Sequence, residues 1–409
     1  MGILKTKVIS SLIRAFYCLV VILFFSLCAC SKKSTDGNSF PEVVNASDSL
    51  QAKYIIWDST TRQKIAPLAN RNAGYCGYAR MIQLQDKSLL CIYEISGGNI
   101  ECSKSFDTGK TWSVPVIVAA NQNGINCAVP EILQLNNQTL LASYNLRPAS
   151  YDSTKHYGIC TKKSFDGGLT WQAEKLLYQA GAKAEEGCWE PAQIQLPSGE
   201  IQLYFSNEGV YPNSNEQNIS IFRSDSSGLN WSASPQMVSF RAGARDGMPV
   251  PIFLKSKNEI LFSIEDNGTG QFSPAIIRNT LTQNWNVFVD GASADRNTAL
   301  AQPLSNTIYA GAPYLRQLIT GETILSYQSA EGRGTQWELS CMNVVIGDEN
   351  GKNFTHKSVP FNVPVNKSGL WNSLCVLDDN TVVAITSTNA YSLSNNMEVW
   401  MIKGHLVKK

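Results

Sequence analysis

The chain has 409 residues, of which 43% are hydrophobic and 10% aromatic, and its 34 basic residues nearly balance 33 acidic ones. A net charge of +1 with no basic stripe argues against a nucleic-acid partner. Its three histidines (His156, His356, His405) sit at no metal-ligand spacing and form no triad with Ser or Cys, so no cofactor or transition metal is expected.

The first segment runs from a basic start (Lys5, Lys7, Arg14) through an apolar stretch at residues 15–27, too short for a comfortable bilayer span, into Leu27-Cys28-Ala29-Cys30. This ending resembles the lipobox of bacterial lipoproteins. The resemblance implies that residues 1–29 are a signal peptide and that Cys30 is the acylated first residue of the mature chain, which is then anchored to a membrane of the bacterial cell envelope, the outer membrane being expected. An ordinary secretory signal without an acyl chain is the alternative. Losing residues 1–29 removes three positive charges and no negative ones, so the net charge becomes about −2. Residues 30–50, rich in Ser, Lys, Asp and Asn, are expected to be the anchor and a tether. Residues 51–409 carry the fold.

That body repeats six times. A strand-turn-strand pattern recurs at residues 80–94, 131–145, 192–206, 250–265, 314–329 and 373–387, with leucines 84, 135, 196, 254, 318 and 377 in phase. The spacings are 51, 61, 58, 64 and 59 residues, and apolar runs alternate without a long helical period. Such repeats predict the blades of an all-β, six-bladed β-propeller. Closure of the ring falls to a terminal strand, either Tyr54-Ile55-Ile56-Trp57 or Val399-Trp400-Met401-Ile402.

Between copies lies Ser-x-Asp-x-Gly-x-Thr-Trp, complete at residues 105–112 and 164–171 and decaying afterwards. Residues 224–231 place Ser226 where the aspartate belongs, residues 278–285 keep little but Trp285, and residues 347–354 keep Gly351. An aspartate that caps a tight turn, a glycine at positive φ and a packed tryptophan make these boxes hairpin staples rather than catalytic parts. With these boxes the chain resembles the sialidase-type Asp-box propellers, the bacterial neuraminidase repeat group, from residue 54 to the end.

Counting the leucine as zero, positions −8, −6 and −4 share one strand parity and are expected around the axis near the entrance. The −6 ring is Tyr78, Val129, Glu190, Met248, Ala312 and Trp371; the −4 ring is Arg80, Glu131, Ala192, Val250, Tyr314 and Ser373. Acids, an arginine and aromatics suit a sugar site, where carboxylates move protons or attack and aromatic faces stack on sugar rings. Glu190, between Trp189 and Pro191, is the first candidate. Glu265, which ends the second strand of blade four, is its expected partner, and Glu94 holds the matching place in blade one.

Trp189-Glu190-Pro191, Leu203-Tyr204-Phe205-Ser206-Asn207-Glu208 and Arg245-Asp246-Gly247-Met248-Pro249-Val250 leading to Glu265 resemble glycoside hydrolase family 93, the exo-α-1,5-L-arabinanases. The resemblance implies a retaining, exo-acting hydrolase of arabinan-like plant polysaccharide. Glu190 and Glu265 would be the catalytic pair, with Arg80, Glu131, Trp189, Arg245, Asp246, Tyr314 and Trp371 around the substrate. A last-blade tyrosine common in this clan is replaced here by Trp371. Two alternatives stay open: a sialidase or other acidic-sugar hydrolase using Arg80, Arg245 and Arg316, and a glycan-binding protein without catalysis. Oligomeric state is not legible.

Cys76, Cys127 and Cys188 share position −8, where a pair could bridge or remain as buried thiols; Cys91 and Cys102 are expected to face each other across a hairpin.

Overall fold

In the computed structural model, which describes residues 53–408, six four-stranded antiparallel sheets stand around one axis. The expected signal peptide, Cys30 and the expected tether lie outside the described residues. Five blades are consecutive in sequence, occupying residues 76–119, 125–179, 188–239, 246–298 and 310–358. The sixth uses Gly369–Val376, Val382–Thr388 and Glu398–Lys408, and its outermost strand is Lys53–Ala66 from the other end of the chain. The N-terminal strand thus closes the ring: Tyr54 pairs with Val407 and Trp57 with Gly404, while Val399-Trp400-Met401-Ile402 lies one strand further in.

Between blades the packing is apolar. Met81, Leu89 and Tyr93 of blade one interlock with Leu377, Ile385 and Met401 of blade six, and equivalent clusters fill the other seams. Two complete Asp boxes close the turns that leave the third strands. Asp107 accepts from the Thr111 backbone N–H at 2.9 Å and from its hydroxyl at 2.6 Å, and the Ser105 hydroxyl accepts from Gly109 N–H at 2.7 Å. These bonds, the Thr111 hydroxyl first, hold the Asp107 carboxyl down at about 2. Gly109 is required twice over: its φ is +93°, and a Cβ there would stand 2.7 Å from Met401 Sδ. In two of the three decayed copies the aspartate has moved rather than vanished. Asp225 takes bonds from Ser227 and Asn230, and Asp348 takes them from Asn350, Lys352 and Asn353, so both act from one position earlier in the box.

Each innermost strand carries a bulge at position −6. Tyr78, Val129, Glu190, Met248, Ala312 and Trp371 all have φ between +47° and +52°, and the pairing register slips by one residue at each. Backbone of this kind costs on the order of 1–3 kcal/mol per non-glycine residue, so something must hold it. The holder is a residue near the end of the preceding blade's second strand, the penultimate one in four of the five cases. Glu94, Asn145, Ser206, Glu265 and Gln328 accept hydrogen bonds from the backbone N–H of Val129, Glu190, Met248, Ala312 and Trp371, at 2.7–3.0 Å. In the sixth place the buried Ser387 hydroxyl makes no hydrogen bond.

The bulge corrects the expected parity. Positions −8 and −4 do not share a face, because the extra residue between them switches the alternation. The three −8 cysteines enter three separate clusters, and all eight cysteines among the described residues are free thiols. Cys91 and Cys102 miss each other by one step: Cys91 faces Ser103 and Cys102 faces Ile92, because the turn is centred half a residue away from the assumed point.

Asn145 offers a test of the clasp. It is fully buried, accepts from Glu190 N–H at 2.8 Å and donates to the Cys188 carbonyl at 2.6 Å. Asn145→Ala leaves both groups unpaired and is expected to cost about 1–3 kcal/mol, read as a lower urea midpoint with unchanged slope. An unaltered midpoint would refute the clasp.

Candidate active site

The bulges turn the −6 side chains toward the axis at the end of the propeller opposite the Asp boxes. Tyr78, Val129, Met248 and Ala312 pack together as a plug, and Trp371 lies on Tyr78 with ring centroids 4.4 Å apart. Above this floor opens a cavity of about 480 Å³, in the usual size range of a small-ligand site. Glu190, Glu265, Trp189, Arg245 and Trp371 line it, together with Arg147, Glu208, Gln217, Tyr78 and Phe272.

Glu190 and Glu265 come from adjacent blades and are both half-buried. Burial raises the Glu265 carboxyl to about 7, with the Glu190 charge adding and the Ala312 N–H and Arg245 opposing. Burial also raises Glu190, but Arg147 and Arg245 work against it there. The two carboxyls therefore feel each other, and the one with the nearer cation holds its charge better. Arg147 Nη2 lies 3.7 Å from Glu190 Oε1, and its guanidinium stands 5.0 Å over the Trp189 ring. Arg147 Nε has no hydrogen-bond partner.

Arg245 is held more tightly. It makes a two-pronged pair with Glu208, at 2.5 and 3.0 Å, and donates to Gln217 at 2.6 Å. Glu208 also accepts from Trp189 Nε1 at 2.8 Å. One carboxylate thus fixes both the arginine and the indole beside Glu190. Space for Glu265 comes from glycine: a Cβ on Gly311 would stand 2.5 Å from Glu265 Oε2 and 2.4 Å from the Tyr309 hydroxyl.

Four expected substrate contacts lie elsewhere. Arg80, Glu131 and Tyr314 sit in a buried axial network and are not brought to the cavity lining. Tyr314 donates to Glu131 at 3.0 Å, Arg80 Nε is 3.7 Å from the same carboxyl, and the guanidiniums of Arg80 and Arg316 stand 4.8 and 4.3 Å over the Tyr314 ring. The parity switch at the bulge accounts for their displacement. Asp246 is wholly buried, with 0% exposure. It faces Asp266 across the two inner strands of blade four, and Arg296 binds both, at 2.6 and 2.9 Å to Asp246 and 2.9 Å to Asp266. This ion cluster clamps the strand ends that flank Glu265.

Sequence reasoning missed Arg147, Glu208 as a holder, and Gln217. Arg147 lies two residues beyond the clasp residue Asn145, a position with no motif around it. The aromatic rim was missed as well: Trp337 contacts both Tyr309 and Trp371, with centroids 6.0 and 5.8 Å apart.

No family model matches the chain, and no curated protein matches it. Solved structures do. A protein of unknown function from Dyadobacter fermentans aligns at TM-score 0.65 and 15% identity, over 87% of this chain and 99% of that one. The GH93 α-L-arabinofuranosidase of Fusarium graminearum, solved with arabinobiose, aligns at 0.64 and 18% over 85% and 97%. A sialidase of Streptococcus pneumoniae aligns at 0.59 and 13% over 82% and 69%. The protein is a six-bladed β-propeller whose structural neighbours include glycoside hydrolase family 93 arabinanases and sialidases.

Proposed function

We propose that the protein is an exo-acting, retaining glycoside hydrolase of arabinan-like polysaccharide, working in the cell envelope from an acyl group on Cys30. The observation that carries the reading is the facing pair Glu190 and Glu265 in one cavity, with environments that push their protonation apart. Glu265, with a pKa of about 7, is the proton donor. Glu190, beside Arg147 and Arg245, is the nucleophile.

In the first step a Glu190 oxygen bonds to the anomeric carbon as the glycosidic C–O bond breaks, and the Glu265 proton goes to the leaving oxygen. In the second, Glu265 takes a proton from water, whose oxygen displaces Glu190. The floor of stacked Tyr78 and Trp371 favours attack on a chain end, because the cavity stops there. The Fusarium and Penicillium neighbours were solved with arabinobiose, which supports a pentose chain as substrate.

A second reading, hydrolysis of an acidic sugar, draws on Arg147, whose Nε lacks an acceptor. The sialidase form of it is less favoured, since Arg80 and Arg316 lie with Tyr314 in the axial network while Arg245 is occupied by Glu208. Sugar release from linear arabinan and from sialyllactose, by wild type and Glu190→Gln, separates the readings. Arabinose or arabinobiose release, lost in the variant, is expected. Sialic acid release would replace it, and silence on a broad glycan panel would leave a binding protein.

The pH dependence follows from the same pair. Activity is expected to fall as pH rises through about 7, because the donor loses its proton. Glu265→Gln removes that limb and lowers kcat on arabinan on the order of 10²–10⁴-fold, while an aryl arabinoside with a good leaving group is cleaved nearly as before in its first step. A basic limb that survives the substitution would move the donor role elsewhere.

Stability falls in the same direction. A carboxyl whose folded pKa is raised binds its proton more tightly folded than unfolded, so stability is lost as pH climbs from the ordinary 4.5 toward about 7. Glu265→Gln, which keeps an acceptor for Ala312 N–H, is expected to melt above wild type at pH 8 and equal to it at pH 4. Equal melting at both would show that the carboxyl is not desolvated.

A further inference from the structure

The end of the propeller opposite the cavity carries apolar side chains that the fold does not use. Phe106 and Phe165 occupy the second position of the two complete Asp boxes and are 77% and 65% exposed. Leu169 and Leu229 occupy the sixth position of the second and third boxes and are 66% and 56% exposed. Single exposed apolar residues are ordinary, but four at matched places in three neighbouring turns make a band.

Lysines bind the band together. Lys104 Nζ lies 5.4 Å over the Phe106 ring and 3.3 Å from where a Gly167 Cβ would stand, so it spans from the first box to the second. Lys163 Nζ lies 5.7 Å over Phe165 and donates to the Ser227 carbonyl at 3.3 Å, which spans from the second box to the third. The box carboxylates Asp107, Asp166 and Asp225 are engaged by hydroxyls and amides of their own turns. An apolar band edged by long cationic side chains matches the boundary between acyl chains and phosphates in a bilayer.

The chain enters the propeller at this same end. Lys53 pairs with Lys408 at the far end of the sixth blade, and its ammonium bonds Glu322 at 2.8 Å, in the hairpin turn between the first two strands of blade five. Residues 31–52 separate Cys30 from that point, so the covalent chain keeps the two within about 80 Å of each other. An anchor on Cys30 would therefore keep this end within that reach of lipid, where a weak surface suffices.

We propose that the Asp-box end of blades one to three rests on a phospholipid bilayer through Phe106, Phe165, Leu169 and Leu229, so that the cavity opens away from the membrane. This rests on the reading of Cys30 as acylated. The test uses the full chain, purified from the envelope and placed in vesicles of phosphatidylethanolamine and phosphatidylglycerol. Amide hydrogen exchange is followed in residues 104–112, 163–171 and 224–231, with residues 187–191 at the cavity as the reference.

Vesicles are expected to slow exchange in the three turns roughly tenfold and to leave the reference unchanged. The variant F106S/F165S/L169S/L229S should keep its melting temperature and its acyl group and lose the slowing. Exchange unchanged by vesicles, slowing that persists in the variant, or slowing that grows with protein concentration without vesicles would each overturn the surface. The mass of the N-terminal peptide reads the anchor separately. If Cys30 proves unmodified, the same exchange is measured on the Cys30→Ala chain at high lipid, where slowing upholds the surface and its absence removes it.

Discussion

The bulge on each innermost strand, clasped in five of six places by the blade before it, is the constraint on which the rest of this propeller depends. It places a non-glycine residue at φ near +50°, a conformation that opposes folding locally. The clasp makes it tolerable by giving the bulge N–H a partner, and since that partner belongs to the neighbouring blade, the same bond joins the blades near the axis. Apolar seams hold the blades side by side. The clasp sets their register around the ring.

Chemistry enters where this construction puts ionisable groups in both of its places. Glu190 is a bulge residue and Glu265 a clasp residue, so one is aimed by its strained backbone and the other by the N–H it accepts. Comparison with Glu94 shows what decides between structure and reactivity. Both are clasp glutamates. Glu94 has both oxygens taken, one by Val129 N–H at 2.7 Å and the other by the Tyr75 hydroxyl at 2.9 Å. Glu265 receives Ala312 N–H on Oε2, and its second oxygen faces the cavity side near Gly247 and Gln217. A satisfied carboxylate is a fitting; a half-satisfied one with a raised pKa can move a proton.

Much of this was legible in the chain. Six phased leucines fixed the blade count, the antiparallel path brought the end of a second strand back toward the start of a first, and so Glu190 and Glu265 were expected at one opening. The bulge was not legible, because nothing in Tyr78, Val129 or Trp371 marks a positive φ; glycine, the usual sign, stands one residue earlier in blades one, four and five, where it makes room instead. Every misplacement at the axis follows from that. Strict alternation put Arg80, Glu131 and Tyr314 at the entrance, and one extra residue per strand carries them into the axial network. The turn aspartates Asp225 and Asp348 escaped for a related reason. A motif search fixes position, whereas the turn needs only a carboxylate within reach of its amides.

Asp246 shows how the site is kept rigid without taking part in it. Two carboxylates directly opposite on paired strands repel, and in blade four both are buried. Arg296, whose side chain is only 3% exposed, lies across the pair and binds each. Burial of such a cluster does little for net stability, since desolvation consumes most of the attraction, but removing any member would strand a buried charge. The arrangement is therefore stiff: the ends of the two strands that carry Gly247 and Glu265 have one low-energy spacing. The proposed proton donor must meet a leaving oxygen within hydrogen-bond reach, and a clamp one residue away from Glu265 on the same strand would supply that tolerance. The ion cluster lies outside the cavity because its work is done on the backbone, and the cavity is left to the two glutamates, the arginines beside them and the aromatic floor.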